Sequence, residues 1–153
     1  MEKIASFTVN HDKLKLGLYT SRVDKDIVTY DIRTNLPNSG QYLSNPEMHT
    51  FEHLFATYVR NSQAKDQIIY FGPMGCRTGF YLLVRDSLSV EQSIALVREV
   101  MGKIAAHEGP VPGVTPVECG NAAEHDLDAA KAVAAKMVSV LADWTAAKLV
   151  YEV

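Results

Sequence analysis

The 153-residue chain holds only two cysteines, Cys76 and Cys119, too few for a disulfide scaffold. It has no surplus of positive charge: 15 Lys and Arg stand against 18 Asp and Glu, a formal net charge of -3. That balance leaves no electrostatic footprint for nucleic acid or an anionic membrane. No apolar run approaches the ~18 residues that a membrane span needs. The opening residues MEKIASFTVNH lack the apolar stretch of a secretory signal. Repeats, low-complexity tracts and charged tails are also missing. What is present, 47% hydrophobic and 22% charged residues, suits a globular chain and argues against disorder. A chain of this length buries about 70% of its unfolded surface, so a single domain over residues 1–153 is expected. Its cysteines are expected to stay reduced in the cytoplasm, available as ligand or nucleophile.

Residues 14–22 and 26–34 are rich in β-branched and aromatic side chains, with Asp24-Lys25 between them, which predicts a hairpin. Pro37, Asn38, Ser39 and Gly40 mark a loop. Asn45 as N-cap, Pro46 and Glu47 then open a helix, and Met48, Phe51, Phe55, Tyr58 and Val59 carry it to about Asn61. Residues 67–72 and 79–85 read as two more strands around the loop PMGCRT. Ser89 and Gln92 form a capping-box pattern for a second helix, which ends at Gly109-Pro110. The Gly- and Pro-rich stretch 109–121 suits no regular element, with VTPVE as a candidate edge strand. A third helix starts near Asp126, its apolar stripe running from Leu127 to Trp144. The pattern predicts an α+β fold: a mostly antiparallel sheet of about four strands with three helices packed on one face.

The strongest chemical signal is His49-Thr50-Phe51-Glu52-His53. At about 100° per residue the two imidazoles lie about 40° apart and one turn along a helix, so both can reach one cation. Glu52 points to a neighbouring direction, placed to handle a proton without being a ligand. This H-x-x-E-H order reverses the usual zinc-protease motif and supplies the same groups. A catalytic site needs a third ligand and an open position. Cys119, His11, His107 and His125 are the candidates. Cys119 is the best, because a thiolate joins imidazoles around Zn or Fe(II). His107 suits a helix C-terminus and His125 a helix start. Cys76 sits in PMGCRTG beside Arg77, whose guanidinium favours a thiolate; it is a proton carrier, a nucleophile or an inert loop cysteine. A Cys76–Cys119 disulfide would remove both groups, and none is expected.

Taken together, these residues resemble the S-ribosylhomocysteine lyases (LuxS). The resemblance runs through Ser6-Phe7 with His11, Tyr30-Asp31-x-Arg33 with Pro37-Asn38, His49-x-x-Glu52-His53-Leu54, the segment Pro73 to Gly79, and Glu118-Cys119-Gly120-Asn121. It implies a LuxS-like metalloenzyme fold and a cytoplasmic homodimer with two metal sites at the subunit interface. Each metal is implied to be held by His49, His53, Cys119 and water, with Fe(II) as the active ion and Zn or Co as replacements; ligand chemistry alone favours Zn. Glu52 and Cys76 correspond to the acid–base pair. Ser6, His11, Asp31 and Arg33 match substrate-binding positions, some reaching the pocket from the partner subunit. The implied reaction turns S-ribosylhomocysteine into L-homocysteine and 4,5-dihydroxy-2,3-pentanedione, the autoinducer-2 precursor, by two carbonyl migrations and a β-elimination.

The chain departs from the family pattern at Asn10, Thr34 and Leu36, in the segment DKLKLGLY after His11, and in a shorter link between the first two strands. These changes bear on substrate fit and subunit contacts and leave the metal and acid–base residues untouched. Three rival readings follow from the same residues. One is an H-x-x-E-H metallopeptidase, which gives Cys76 no role. Another is a closed structural zinc site, which needs a fourth protein ligand. The last is a lyase of this family acting on a different sugar thioether.

Overall fold

The computed structural model describes residues 1–153. Strands β1 (Gly17–Asp24), β2 (Ile27–Arg33), β3 (Ile68–Pro73) and β4 (Gly79–Arg85) form one antiparallel sheet in the order β1-β2-β4-β3. Three helices, α1 (Asn45–Arg60), α2 (Val90–Ala105) and α3 (Leu127–Val140), complete the α+β arrangement that the pattern predicts. Alternation along the strands decides which face the helices take. Val28, Tyr30 and Ile32 of β2 and Phe80, Leu82 and Val84 of β4 enter the core. Helix α1 meets them with Phe51, Leu54, Phe55 and Val59. Its aromatic rings stack on the sheet, Phe51 4.6 Å from Phe80 and Phe55 4.0 Å from Phe71 between centroids. Helices α2 and α3 pack on each other and on α1, closing the core with Val97, Met101, Ile104, Ala134 and Met137. On the opposite face no helix covers Thr29, Tyr81 and Leu83, and Tyr70 is 53% exposed.

The helix starts follow local chemistry. Ser89 and Gln92 form the reciprocal capping box expected at α2. At α1 the cap is one residue earlier than Asn45: Ser44 accepts from the Glu47 backbone N–H, and the Glu47 carboxylate accepts from Ser44 N–H. Asn45 is therefore the first helical residue. Helix α3 ends at Val140, short of Trp144, whose indole turns back to donate to the Leu18 carbonyl at 2.8 Å. VTPVE is not a strand. Thr115 and Glu118 close a turn there, because Pro116 has no N–H to give a ladder.

The ladder between β2 and β4 runs without a bulge from Ile27 opposite Arg85 to Arg33 opposite Gly79. At its end the two backbones close in: a Cβ on Gly79 would stand 2.4 Å from the Ile32 carbonyl oxygen. This close approach brings Arg33 beside Thr78, just ahead of β4. The chain after α3 returns across β1, where Tyr151 stacks on Tyr19 at 5.1 Å and donates its hydroxyl to Asp31.

Phe51 is wholly buried and links helix to sheet. Phe51→Ala is expected to cost about 3–5 kcal/mol and to lower the melting temperature by on the order of 10 °C, measured by thermal denaturation followed by circular dichroism.

Candidate functional site

Two groups of functional side chains stand in this fold, and no hydrogen bond joins them. The first lies where α1 meets the irregular segment between α2 and α3. His49 and His53 project from successive turns of α1, and the segment brings Cys119 and His125 against them. One donor atom from each of these four lies within 4.8 Å of the others. Cys119 Sγ is 3.4 Å from His49 Nε2 and 3.9 Å from His53 Nε2. A tetrahedral ion with bonds of about 2.3 Å to sulfur and 2.0–2.1 Å to nitrogen separates such atoms by about 3.6 Å. The three donors therefore fit one ion.

The outer nitrogens decide which ring atoms face inward. His49 Nδ1 lies 2.9 Å from the Glu124 carbonyl and His53 Nδ1 2.8 Å from the Pro112 carbonyl. A carbonyl only accepts, so both Nδ1 atoms carry hydrogen and donate. In the neutral ring each Nε2 then keeps its lone pair for a cation while Nδ1 donates to a carbonyl, as in metal-bound histidine. Glu52 lies half-buried on the same helix and takes part in none of the ion pairs.

His125 precedes the α3 cap Asp126, the helix start read from the sequence, yet it also joins the cluster, with Nε2 4.0 Å from Cys119 Sγ. Its ring stacks on His49 at 4.1 Å. Burial first, and then His49 and His53, hold its pKa below the ordinary histidine value. Sequence gave no reason to prefer it over His107, because only the fold brings residue 125 back to residue 49. His107 is engaged elsewhere: it bonds the Tyr58 hydroxyl and donates to the Pro110 carbonyl.

The second group surrounds Cys76, in the turn between β3 and β4. Its exposed thiol lies 3.0 Å from Thr78 Oγ1. Arg33 Nη1 donates to that same oxygen at 2.7 Å, which leaves the Thr78 hydroxyl hydrogen free to point at the Cys76 sulfur. Arg33 and Asp31 are 3% and 1% exposed and form a two-pronged ion pair at 2.6 and 3.1 Å. Burial acts to lower the Arg33 pKa, but Asp31, with help from Cys76 and Tyr151, leaves it above its ordinary value. Burial and the Asp31 charge raise the pKa of Tyr151 strongly. Tyr151 had no signal in the sequence; its place over Asp31 comes from the returning C-terminal segment.

His11 shares a cavity of about 190 Å3 with Pro37, Asn38, Tyr42, Cys76 and Thr78. Ser6 lies apart, in an open depression on the uncovered sheet face with Thr29, Tyr70 and Tyr81. Of the departures, Asn10 closes a turn by accepting from Asp12 N–H, Thr34 is buried against the Thr78 carbonyl, and Leu36 is exposed. Both cysteines are free.

With this geometry in place, comparison with known proteins is informative. The family model described as S-Ribosylhomocysteinase (LuxS) matches residues 4–148. An S-ribosylhomocysteine lyase of Clostridium beijerinckii is 43% identical over 157 residues, covering 99% of each chain. One of Desulfotalea psychrophila is 44% identical over 153 residues, 97% of this chain and 96% of its own. One of Porphyromonas gingivalis is 44% identical over 148 residues, 94% and 93% of the two chains.

The purified chain is expected to take up about one divalent ion. Cys119→Ala is expected to weaken uptake by more than roughly 100-fold, the upper range for loss of a supporting group alone, measured by competition with a chromogenic chelator.

Proposed function

The chain belongs to the S-ribosylhomocysteinase (LuxS) family and is an S-ribosylhomocysteine lyase, a carbon–sulfur lyase, and we propose that residues 1–153 act as one catalytic domain. Its reaction releases L-homocysteine and 4,5-dihydroxy-2,3-pentanedione. Relatives named for this one substrate do not favour a peptidase or another sugar thioether. The convergence of His49 Nε2, His53 Nε2 and Cys119 Sγ carries the assignment of the centre.

The thioether departs from C5 of the ribose, while the only carbonyl is at C1. The carbonyl must migrate twice before the C4 hydrogen becomes acidic enough for β-elimination. His49, His53 and Cys119 would hold a divalent ion, iron(II) in this proposal with zinc or cobalt as substitutes, which would supply Lewis acidity for the carbonyl migrations. Glu52, beside these ligands and free of ion pairs, takes and returns protons on one side of the sugar. Cys76 does so from the other, its sulfur facing the Thr78 hydroxyl that Arg33 orients. Ser6 and His11 receive ribose hydroxyls or the amino-acid end of the substrate. Asp31 and Arg33 belong to this substrate-binding set, and their ion pair also supports Thr78 from behind.

We further propose a cytoplasmic homodimer with shared sites. The sheet face without helices, with Tyr70, Tyr81 and Leu83 on it, suits a second copy. The separation of the Cys76 group from the histidine cluster suits a site assembled from two chains.

Glu52→Gln and Cys76→Ala are each expected to lower turnover by roughly 10²–10⁴-fold with metal content unchanged, read as homocysteine released to a thiol reagent under anaerobic conditions. Loss of metal in either variant would move that residue into the ligand set. Substitution of Ser6 or His11 is expected to act mainly on KM, and air is expected to inactivate the iron form. Light scattering is expected to give twice the chain mass, and Leu83→Arg to give an inactive monomer.

A further inference from the structure

His125 presents a fourth nitrogen to the histidine–cysteine cluster, and its hydrogen-bond partner determines what that nitrogen can do. Its Nδ1 lies 2.9 Å from Thr50 Oγ1. Thr50 is wholly buried, so its hydroxyl hydrogen needs a protein acceptor. The same oxygen already accepts the Asp126 backbone N–H at 2.9 Å. The only remaining partner of the hydroxyl is His125 Nδ1. If Nδ1 carried hydrogen, the threonine oxygen would face two donors and its own hydrogen would have no acceptor. The hydroxyl therefore donates to Nδ1, and the ring hydrogen sits on Nε2. This is the opposite tautomer from His49 and His53, whose Nδ1 atoms donate to carbonyls.

We propose that Thr50 holds His125 as the Nε2–H tautomer, so that His125 is an N–H donor facing the metal centre and not a fourth ligand. Nε2–H faces the Cys119 sulfur from 4.0 Å. An Nε2 that carries hydrogen has no lone pair for an ion, so the fourth position stays available to an oxygen of the substrate, which the N–H can bind. A closed four-ligand structural site would need the other tautomer. The identity of that oxygen rests on the lyase proposal; the tautomer does not.

The test is two-bond proton–nitrogen correlation spectroscopy on nitrogen-labelled, zinc-loaded protein. His49 and His53 are expected as Nδ1–H rings with metal-bound Nε2. His125 is expected as an Nε2–H ring with an unprotonated, metal-free Nδ1. A His125 ring with hydrogen on Nδ1, metal-bound or not, would overturn the proposal, and so would a doubly protonated ring. None of these outcomes depends on activity, so they are separable from failure of the lyase assignment. His125→Ala provides a second arm. Loss of one donor to a charged site is expected to lower kcat/KM by roughly 10–100-fold, with zinc affinity within a few-fold of the parent. A matching fall in zinc affinity would make His125 a ligand and overturn the proposal. Thr50→Val is expected to remove the hydrogen bond to the unprotonated Nδ1 of His125 and move that nitrogen's resonance downfield, and Thr50→Ser to restore the parent spectrum. An unchanged spectrum in Thr50→Val would remove Thr50 from the role.

Discussion

The centre depends on three side chains from successive turns of one helix holding an irregular segment in place. His49 donates to the Glu124 carbonyl, His53 to the Pro112 carbonyl, and Thr50 accepts from Asp126 N–H. Residues 112–126 have almost no regular structure of their own, so these bonds replace a ladder or a helix as their support. The dependence runs both ways. The carbonyls fix the imidazole rings, and the rings fix the loop that carries Cys119. Helix α1 can bear this because its aromatic side is locked on the sheet through Phe51 and Phe55.

Two buried threonines work alike, one in each group. Thr78 accepts from Arg33 and faces the Cys76 sulfur; Thr50 accepts from Asp126 and faces His125. A hydroxyl can accept and donate together, so an N–H bound on one side orients the hydrogen on the other. Each threonine thus gives direction to a neighbour whose own chemistry is ambiguous: a thiol that can be thiolate, an imidazole with two tautomers.

Much of this was legible in the sequence, and the limits have physical causes. The H-x-x-E-H spacing, the Ser89–Gln92 box and the span of β4 are local patterns, and the structure repeats them. Periodicity can identify α1, but a one-residue choice between Ser44 and Asn45 turns on which side chain reaches Glu47. The apolar stripe runs to Trp144, yet α3 ends at Val140 and the indole reaches the core from the turn beyond it while donating to β1. VTPVE has strand-like residues, but Pro116 has no N–H to give and Thr115 and Glu118 close a turn. The roles of His125 and Tyr151 come from returns of 75 and 120 residues along the chain, which no local pattern encodes. The burial of the Asp31–Arg33 ion pair likewise comes from the fold and is not encoded in the local motif.

Gly79 sets a boundary on how this molecule can vary. With the Ile32 oxygen 2.4 Å from where a Cβ would sit, no other residue type fits there without parting two strands. Parting them would carry Arg33 away from Thr78 and disarm the neighbouring sulfur. A random library built across this hairpin and screened for activity would return glycine at that codon, whatever diversity it tolerated on either side.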